Sequence, residues 1–156
     1  MKITKVEINH FRALENFALS IEEDLSVIIG KNNTGKTSLL SILDRFLGES
    51  KSSFEFHDFN KKYLASKFPF NQKEVLSAEE YDPFYISLTM HIEYNETDYI
   101  GNLAKLFMSL DPKDKTAIIR FEYVMTYELY LSAVKDYATY CSKAGKKKRT
   151  IREYIE

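Results

Sequence analysis

The sequence predicts an α/β fold on three observations. Alternating apolar segments stand near the N-terminus, a glycine-bearing octapeptide joins an apolar run to a segment of helical period, and a long alternating strand follows past the middle. The chain has 156 residues, of which 44% are hydrophobic. That is enough apolar surface to bury a core and excludes a disordered chain.

The elements read in order as follows. Ile3–Phe11 alternates, with Val6, Ile8 and His10 on one face, and predicts a strand. Phe17, Leu19 and Ile21 alternate again as a second strand, and Glu22–Asp24 forms a polar turn. Leu25–Ile29 is a continuous apolar run that enters Gly30, the pattern of a strand buried on both faces. From Gly35 the period changes to that of a helix through Leu39, Ile42, Leu43 and Phe46, and Gly48 supplies a stop. Ser50–Ala78 is polar and without period, so it is predicted to be irregular with short helical turns. Tyr85–Tyr94 alternates cleanly: Ile86, Leu88, Met90, Ile92 and Tyr94 face one way, Ser87, Thr89, His91 and Glu93 the other. One wet face argues for antiparallel pairing. Leu103, Leu106, Phe107 and Leu110 predict a short helix ended by Asp111-Pro112. Thr116–Val124 is a further strand. Tyr127, Tyr130, Leu131, Val134, Tyr137, Ala138 and Cys141 keep helical spacing to about Ala144, although Tyr127, Leu129 and Leu131 also fit a strand. This tyrosine-rich stripe reads as helix packing rather than base stacking.

Composition narrows the setting. No apolar run approaches the roughly 18 residues of a membrane span. Lys2, Lys5, Glu7 and Arg12 interrupt any signal-peptide core, so a cytoplasmic location and no membrane partner are expected. A single cysteine, Cys141, excludes an intrachain disulfide and a cysteine-based zinc site. His10, His57 and His91 show no metal-ligand spacing. Net charge is −1, but residues 142–156 hold six basic side chains against two acidic ones. Attraction to a polyanion would therefore sit at the C-terminal end. Lys146–Arg149 is read first as a solvated run and second as a contact to DNA phosphates.

The chemistry concentrates in Gly30-Lys31-Asn32-Asn33-Thr34-Gly35-Lys36-Thr37, which fits the Walker A pattern G-x-x-x-x-G-K-[ST] at every fixed position. Gly30 and Gly35 let the backbone curl until successive N–H groups point inward at phosphate oxygens. Asn32 and Asn33 tolerate positive φ. Thr34 and Ser38 are assigned to nucleotide binding together with Gly30, Asn32, Asn33 and Gly35, and the helix opening near Gly35 brings its positive dipole end. Lys36 is assigned to the β- and γ-phosphates of ATP, and Thr37 to Mg²⁺. No run of four apolar residues ends in Asp or Glu; the nearest, Ile118-Ile119-Arg120-Phe121-Glu122, is broken by Arg120. No N-K-x-D motif marks a GTPase, and the segments after the loop are not the repeated βα units of a small nucleotide kinase.

The opening resembles the ATPase heads of the RecF/SMC class of ABC-type proteins. The resemblance rests on His10-Phe11-Arg12 closing the first strand, on Phe17–Ile21, and on Ser26-Val27-Ile28-Ile29-Gly30 through Thr37-Ser38-Leu39-Leu40. Within that class it is similar to the OLD (overcoming lysogenisation defect) family of ATP-dependent endonucleases, through His57-Asp58-Phe59 and Pro83-Phe84-Tyr85-Ile86-Ser87-Leu88-Thr89-Met90. The resemblance implies the N-terminal part of a P-loop NTPase of the ABC-type head fold, with a mixed sheet and an antiparallel β layer. It implies Mg-ATP binding, a homodimer of heads that sandwiches ATP, DNA as the partner of the full-length protein, and phage defence.

It also places Arg12 at the nucleotide phosphates; a solvated arginine after a strand is the other reading. Asp58 either lies near the metal or caps a turn, the second being favoured. Gln72 is the sole glutamine but lacks the context of a Q-loop. The family's signature loop, Walker B Asp-Glu and nuclease carboxylates do not occur before Glu156, so the chain is expected to be the front part of a longer product. The expected division is a P-loop core at 1–48, an irregular segment at 49–80, a β layer with a short helix at 81–126, and a C-terminal helix with basic tail at 127–156. Two rivals stand beside this reading: a RecF/SMC-type repair ATPase without nuclease activity, and an ATP-gated interaction module.

Overall fold

The computed structural model describes residues 1–24, 26–31, 34–48, 54–67, 75–98 and 115–143, with the side chains of Tyr137 and residues 140–143 left aside. The described elements are β1 (Lys2–Phe11), β2 (Leu14–Ser20), α1 (Lys36–Leu47), a 3-10 turn (Phe56–Asp58), α2 (Lys61–Lys67), β3 (Phe84–Glu93), β4 (Thr116–Met125) and α3 (Tyr127–Lys143). The strands form one antiparallel sheet in the order β2-β1-β3-β4. The expected short helix at 103–110, Gln72 and the basic run 146–149 lie outside the described residues.

Register explains the core. Val6 stands between Leu19 and Met90, and Ile8 between Phe17 and Leu88, so one face of the sheet is continuously apolar. Ile86, Leu88, Met90 and Ile92 of β3 and Ala117 and Met125 of β4 complete it. Leu39 and Ile42 of α1, with Phe59, Leu64 and Tyr130, belong to the same buried cluster. An aromatic file reinforces it: Phe46 meets Phe54 at 4.8 Å, Phe54 meets Tyr123 at 4.9 Å, and Phe59 meets Phe84 at 4.9 Å between ring centroids.

Three expectations are corrected. The mixed sheet with a parallel-containing core is not found among the described residues, whose sheet is wholly antiparallel. Ser26–Gly30 is not a strand, and Val27, Ile28 and Ile29 are 67%, 41% and 90% exposed. A strand buried on both faces needs neighbours on its edges and layers above and below it, and no described strand pairs with this segment. The face of β3 expected to be wet is closed at its centre, where Ser87 and Thr89 are buried. β3 is an inner strand, and its short polar residues sit between the longer Glu7, Asn9, Arg120 and Glu122 of its neighbours; Asn9 Nδ2 donates to Ser87 Oγ at 3.2 Å.

The C-terminal element is a helix, which removes the strand alternative for residues 127–131. Its tyrosines pack: Tyr127 Oη donates to Leu76 O, the Leu76 amide donates to Tyr130 Oη, and Tyr81 lies 4.9 Å from Tyr130. Among the described residues, no helix is long and apolar enough to cross a membrane.

Candidate functional site

The N-terminus of α1 carries the predicted loop. Gly35 occupies the N-cap in the left-handed region, with φ 95° and ψ 7°, and no side chain caps the first turn. The first-turn amides are therefore left to a ligand or to water, and the dipole end is positive. Glycine is required here twice over. Its φ disfavours any side chain, and a Cβ would lie 2.7 Å from Leu14 Cδ2 and 3.7 Å from Ala13 Cβ. The glycine loop is thus pressed against the β1–β2 turn. Lys36 Nζ folds across the loop and donates to Gly30 O at 2.5 Å and Lys31 O at 2.6 Å, while Thr34 Oγ1 donates to Lys31 O at 2.8 Å. Thr37 is exposed in the first turn beside Lys36, and Ser38 is half-buried. Asn32 and Asn33 lie outside the described residues. An uncapped helix end, an ammonium folded over the loop and an exposed hydroxyl on one turn form a donor set that fits a magnesium-bound polyphosphate. Among the described residues no cluster of three His, Cys, Asp or Glu is placed to hold a metal. A magnesium ion here would rest on Thr37 and on phosphate oxygens.

Arg12 opens the turn that the loop leans on. It has φ 48°, and His10, two residues before it, has φ 64°. These positive values break the alternation of β1, so Phe11 turns into the core while His10 stacks on Tyr63 at 3.5 Å. Burial pushes the His10 imidazole below its ordinary pKa, opposed by Glu15 and assisted by Arg120 and Lys67. The Arg12 conformation is held from the 58–60 segment. Its amide donates to Asp58 O at 2.8 Å, its carbonyl accepts from Asn60 Nδ2 at 2.7 Å, and Phe11 bridges to Phe59. Its guanidinium lies 5.0 Å from the Phe11 centroid and gives Nε and Nη2 to Asp58 Oδ1 at 2.9 and 2.8 Å. Arg12 is therefore a fixed group rather than a freely solvated one.

Asp58 is fully buried. Its Oδ2 accepts Arg45 Nη1 at 2.8 Å and the Glu55 amide at 2.9 Å. The carboxylate thus caps the 3-10 turn and joins β1 to α1 at the same time. Arg45 and Asn60 were not singled out in the sequence. Arg45 in the last turn reads as an ordinary complement to the helix dipole, and nothing local signals a pairing with Asp58. Asn60 has a local signal, since its Oδ1 accepts the Lys62 and Tyr63 amides as an N-cap of α2.

The chain is 29% identical over 118 residues to a protein named endonuclease GajA of Bacillus cereus (strain HuB5-5), covering 70% of this chain and 17% of that protein. It is 44% identical over 52 residues to the DNA replication and repair protein RecF of Histophilus somni (strain 2336), covering 33% of this chain and 14% of that one. The corresponding protein of Haemophilus ducreyi is 38% identical over 61 residues, 39% of this chain and 16% of that protein. The chain thus spans less than a fifth of the length of these relatives. A family profile described as the AAA ATPase domain matches residues 1–155, and the chain belongs to that family.

Proposed function

We propose that this chain binds Mg-ATP through Gly30–Thr37 and serves as the N-terminal part of the ATPase domain of an OLD-like, DNA-acting endonuclease. The observation that carries the ATP site is the uncapped first turn of α1 behind a left-handed Gly35, with Lys36 reaching back over the loop. On phosphate arrival Lys36 would exchange two carbonyl acceptors for phosphate oxygens, which are charged and therefore stronger acceptors. The amides of Gly35 to Ser38, with Asn32, Asn33 and Thr34, would line the anion, and Thr37 would turn its hydroxyl to Mg²⁺. Magnesium would neutralise charge on the β- and γ-oxygens.

The endonuclease reading is supported by the likeness to GajA over 70% of the chain. A RecF-like repair ATPase without nuclease activity is the second reading, supported by the higher identity of the shorter RecF matches. In either case two heads are proposed to sandwich the nucleotide, with DNA as partner of the whole protein. Removal of the ammonium tests the site. Lys36→Ala should weaken a fluorescent ATP analogue roughly 10- to 100-fold, the worth of one or two charge-assisted hydrogen bonds. Equal binding by the variant and the wild type in the presence of Mg²⁺ would remove the assignment.

A further inference from the structure

We infer that Asp58 is a positioning residue for the nucleotide site: it fixes the Arg12 guanidinium at the β1–β2 turn, against which Gly35 packs, and locks that turn to helix α1. The inference rests on the ATP-binding reading above and deepens it. Three observations carry it.

First, the Asp58 carboxylate is buried and its acceptor sites are filled. Oδ1 takes Nε and Nη2 of Arg12, and Oδ2 takes Arg45 Nη1 and the Glu55 amide. A carboxylate offers about four lone-pair sites, so little freedom is left to any partner. Second, Arg12 sits at positive φ, a conformation that a non-glycine residue keeps only when its surroundings over-determine it. Here the amide, the carbonyl and one edge of the guanidinium are all held by residues 58–60. A solvated surface arginine needs no such arrangement. Third, the held residue opens the turn that the glycine loop packs against. Leu14 and Ala13, directly after Arg12, are the residues that Gly35 touches. Among the described residues the Arg12 Nη1 edge has no partner, and the side chain is 33% exposed. The guanidinium is thus fixed along one edge and open along the other, the form in which arginine recognises a phosphate.

The same carboxylate reaches Arg45 in the last turn of α1. The phosphate-loop helix is therefore tied to the β1–β2 turn directly at its start, by Gly35 on Leu14, and through Asp58 at its close, where Arg45 shares that carboxylate with Arg12. Asp58 acts on the nucleotide only through these arginines.

A double-mutant cycle tests this, with fluorescent ATP analogue and Mg²⁺ as the probe and thermal melting without nucleotide run on each variant. Arg12→Ala and Asp58→Asn should each weaken binding roughly 10-fold, and the combination should weaken it no further than about twofold beyond either, because both remove one positioned guanidinium. Asp58→Asn leaves a buried arginine unbalanced, so Asp58→Asn with Arg45→Met, which removes both buried charges, supplies the second variant. It should melt close to wild type and bind as weakly as Arg12→Ala. Wild-type affinity in either Arg12→Ala or the folded Asp58→Asn/Arg45→Met variant overturns the inference, as do additive losses. Lys36→Ala run alongside separates the two levels: full binding by that variant, or none by the wild type, defeats the ATP-site reading, and the inference falls with it.

Discussion

Gly35→Ala is the perturbation whose cost the structure specifies most closely. The backbone at this position is left-handed, with φ 95°, which costs an L-residue about 1–2 kcal/mol. The new Cβ would lie 2.7 Å from Leu14 Cδ2, closer than carbon atoms pack, and Leu14 is itself buried. Relieving that overlap in a filled site costs about 1–3 kcal/mol. The reduced entropy of the unfolded chain returns about 0.4–1 kcal/mol. The net loss is therefore about 1–5 kcal/mol, centred near 3, and at that centre about 6–12 °C in Tm for a chain of this size. Thermal and urea unfolding without nucleotide measure it. Gly30→Ala is the control. There the added methyl crowds the Thr34 Oγ1 at 2.9 Å and otherwise makes ordinary contacts with Thr34 Cβ and Lys36 Nζ, with no left-handed φ, and the loss should stay below about 1 kcal/mol. A Gly35→Ala protein that melts with the wild type, or a larger loss at Gly30 than at Gly35, would refute both the left-handed turn and its contact with Leu14.

Two further outcomes follow from burial and charge. Ile29 is 90% exposed, so Ile29→Ser should change urea-unfolding stability of this chain by no more than about 0.5 kcal/mol; a loss of about 2–5 kcal/mol would show a buried strand there instead. Burial pushes the Tyr63, Tyr81 and Tyr123 phenols above their ordinary pKa, aided at Tyr81 by Tyr130 and at Tyr123 by Asp58. Groups raised in the folded state contribute stability that is complete below the unfolded value of about 10 and is lost as pH rises above it. Urea unfolding from pH 8 to 11 should show that decline, and Tyr81→Phe should make it shallower; a curve flat to pH 11 contradicts the packing assigned to these rings.

What the sequence disclosed was local. The alternation of Val6 and Ile8, of Ile86 to Ile92, and the helical spacing of Leu39 and Ile42 each report a face that one neighbouring layer buries. The octapeptide was legible because its chemistry fixes residue types at fixed spacing. Val27–Ile29 misled because an apolar run announces burial without saying which partner provides it. His10 broke its strand's alternation because a positive φ is not written in side-chain polarity. The joining of His10-Phe11-Arg12 to His57-Asp58-Phe59 was hidden for another reason. Arg12 and Asp58 are 46 residues apart, and a buried ion pair leaves no periodic trace. α2 was legible only as an unplaced short helical turn in the segment 50–78, since seven residues with one buried leucine show no clear stripe.

The most direct test of the account is the amide spectrum of uniformly ¹⁵N-labelled protein titrated with Mg²⁺ and a non-hydrolysable ATP analogue. The account predicts that the largest shifts fall on the amides of Gly35, Lys36, Thr37 and Ser38, with Gly30 and the Arg12 Nε following. Saturating nucleotide that leaves those amides unmoved would contradict it.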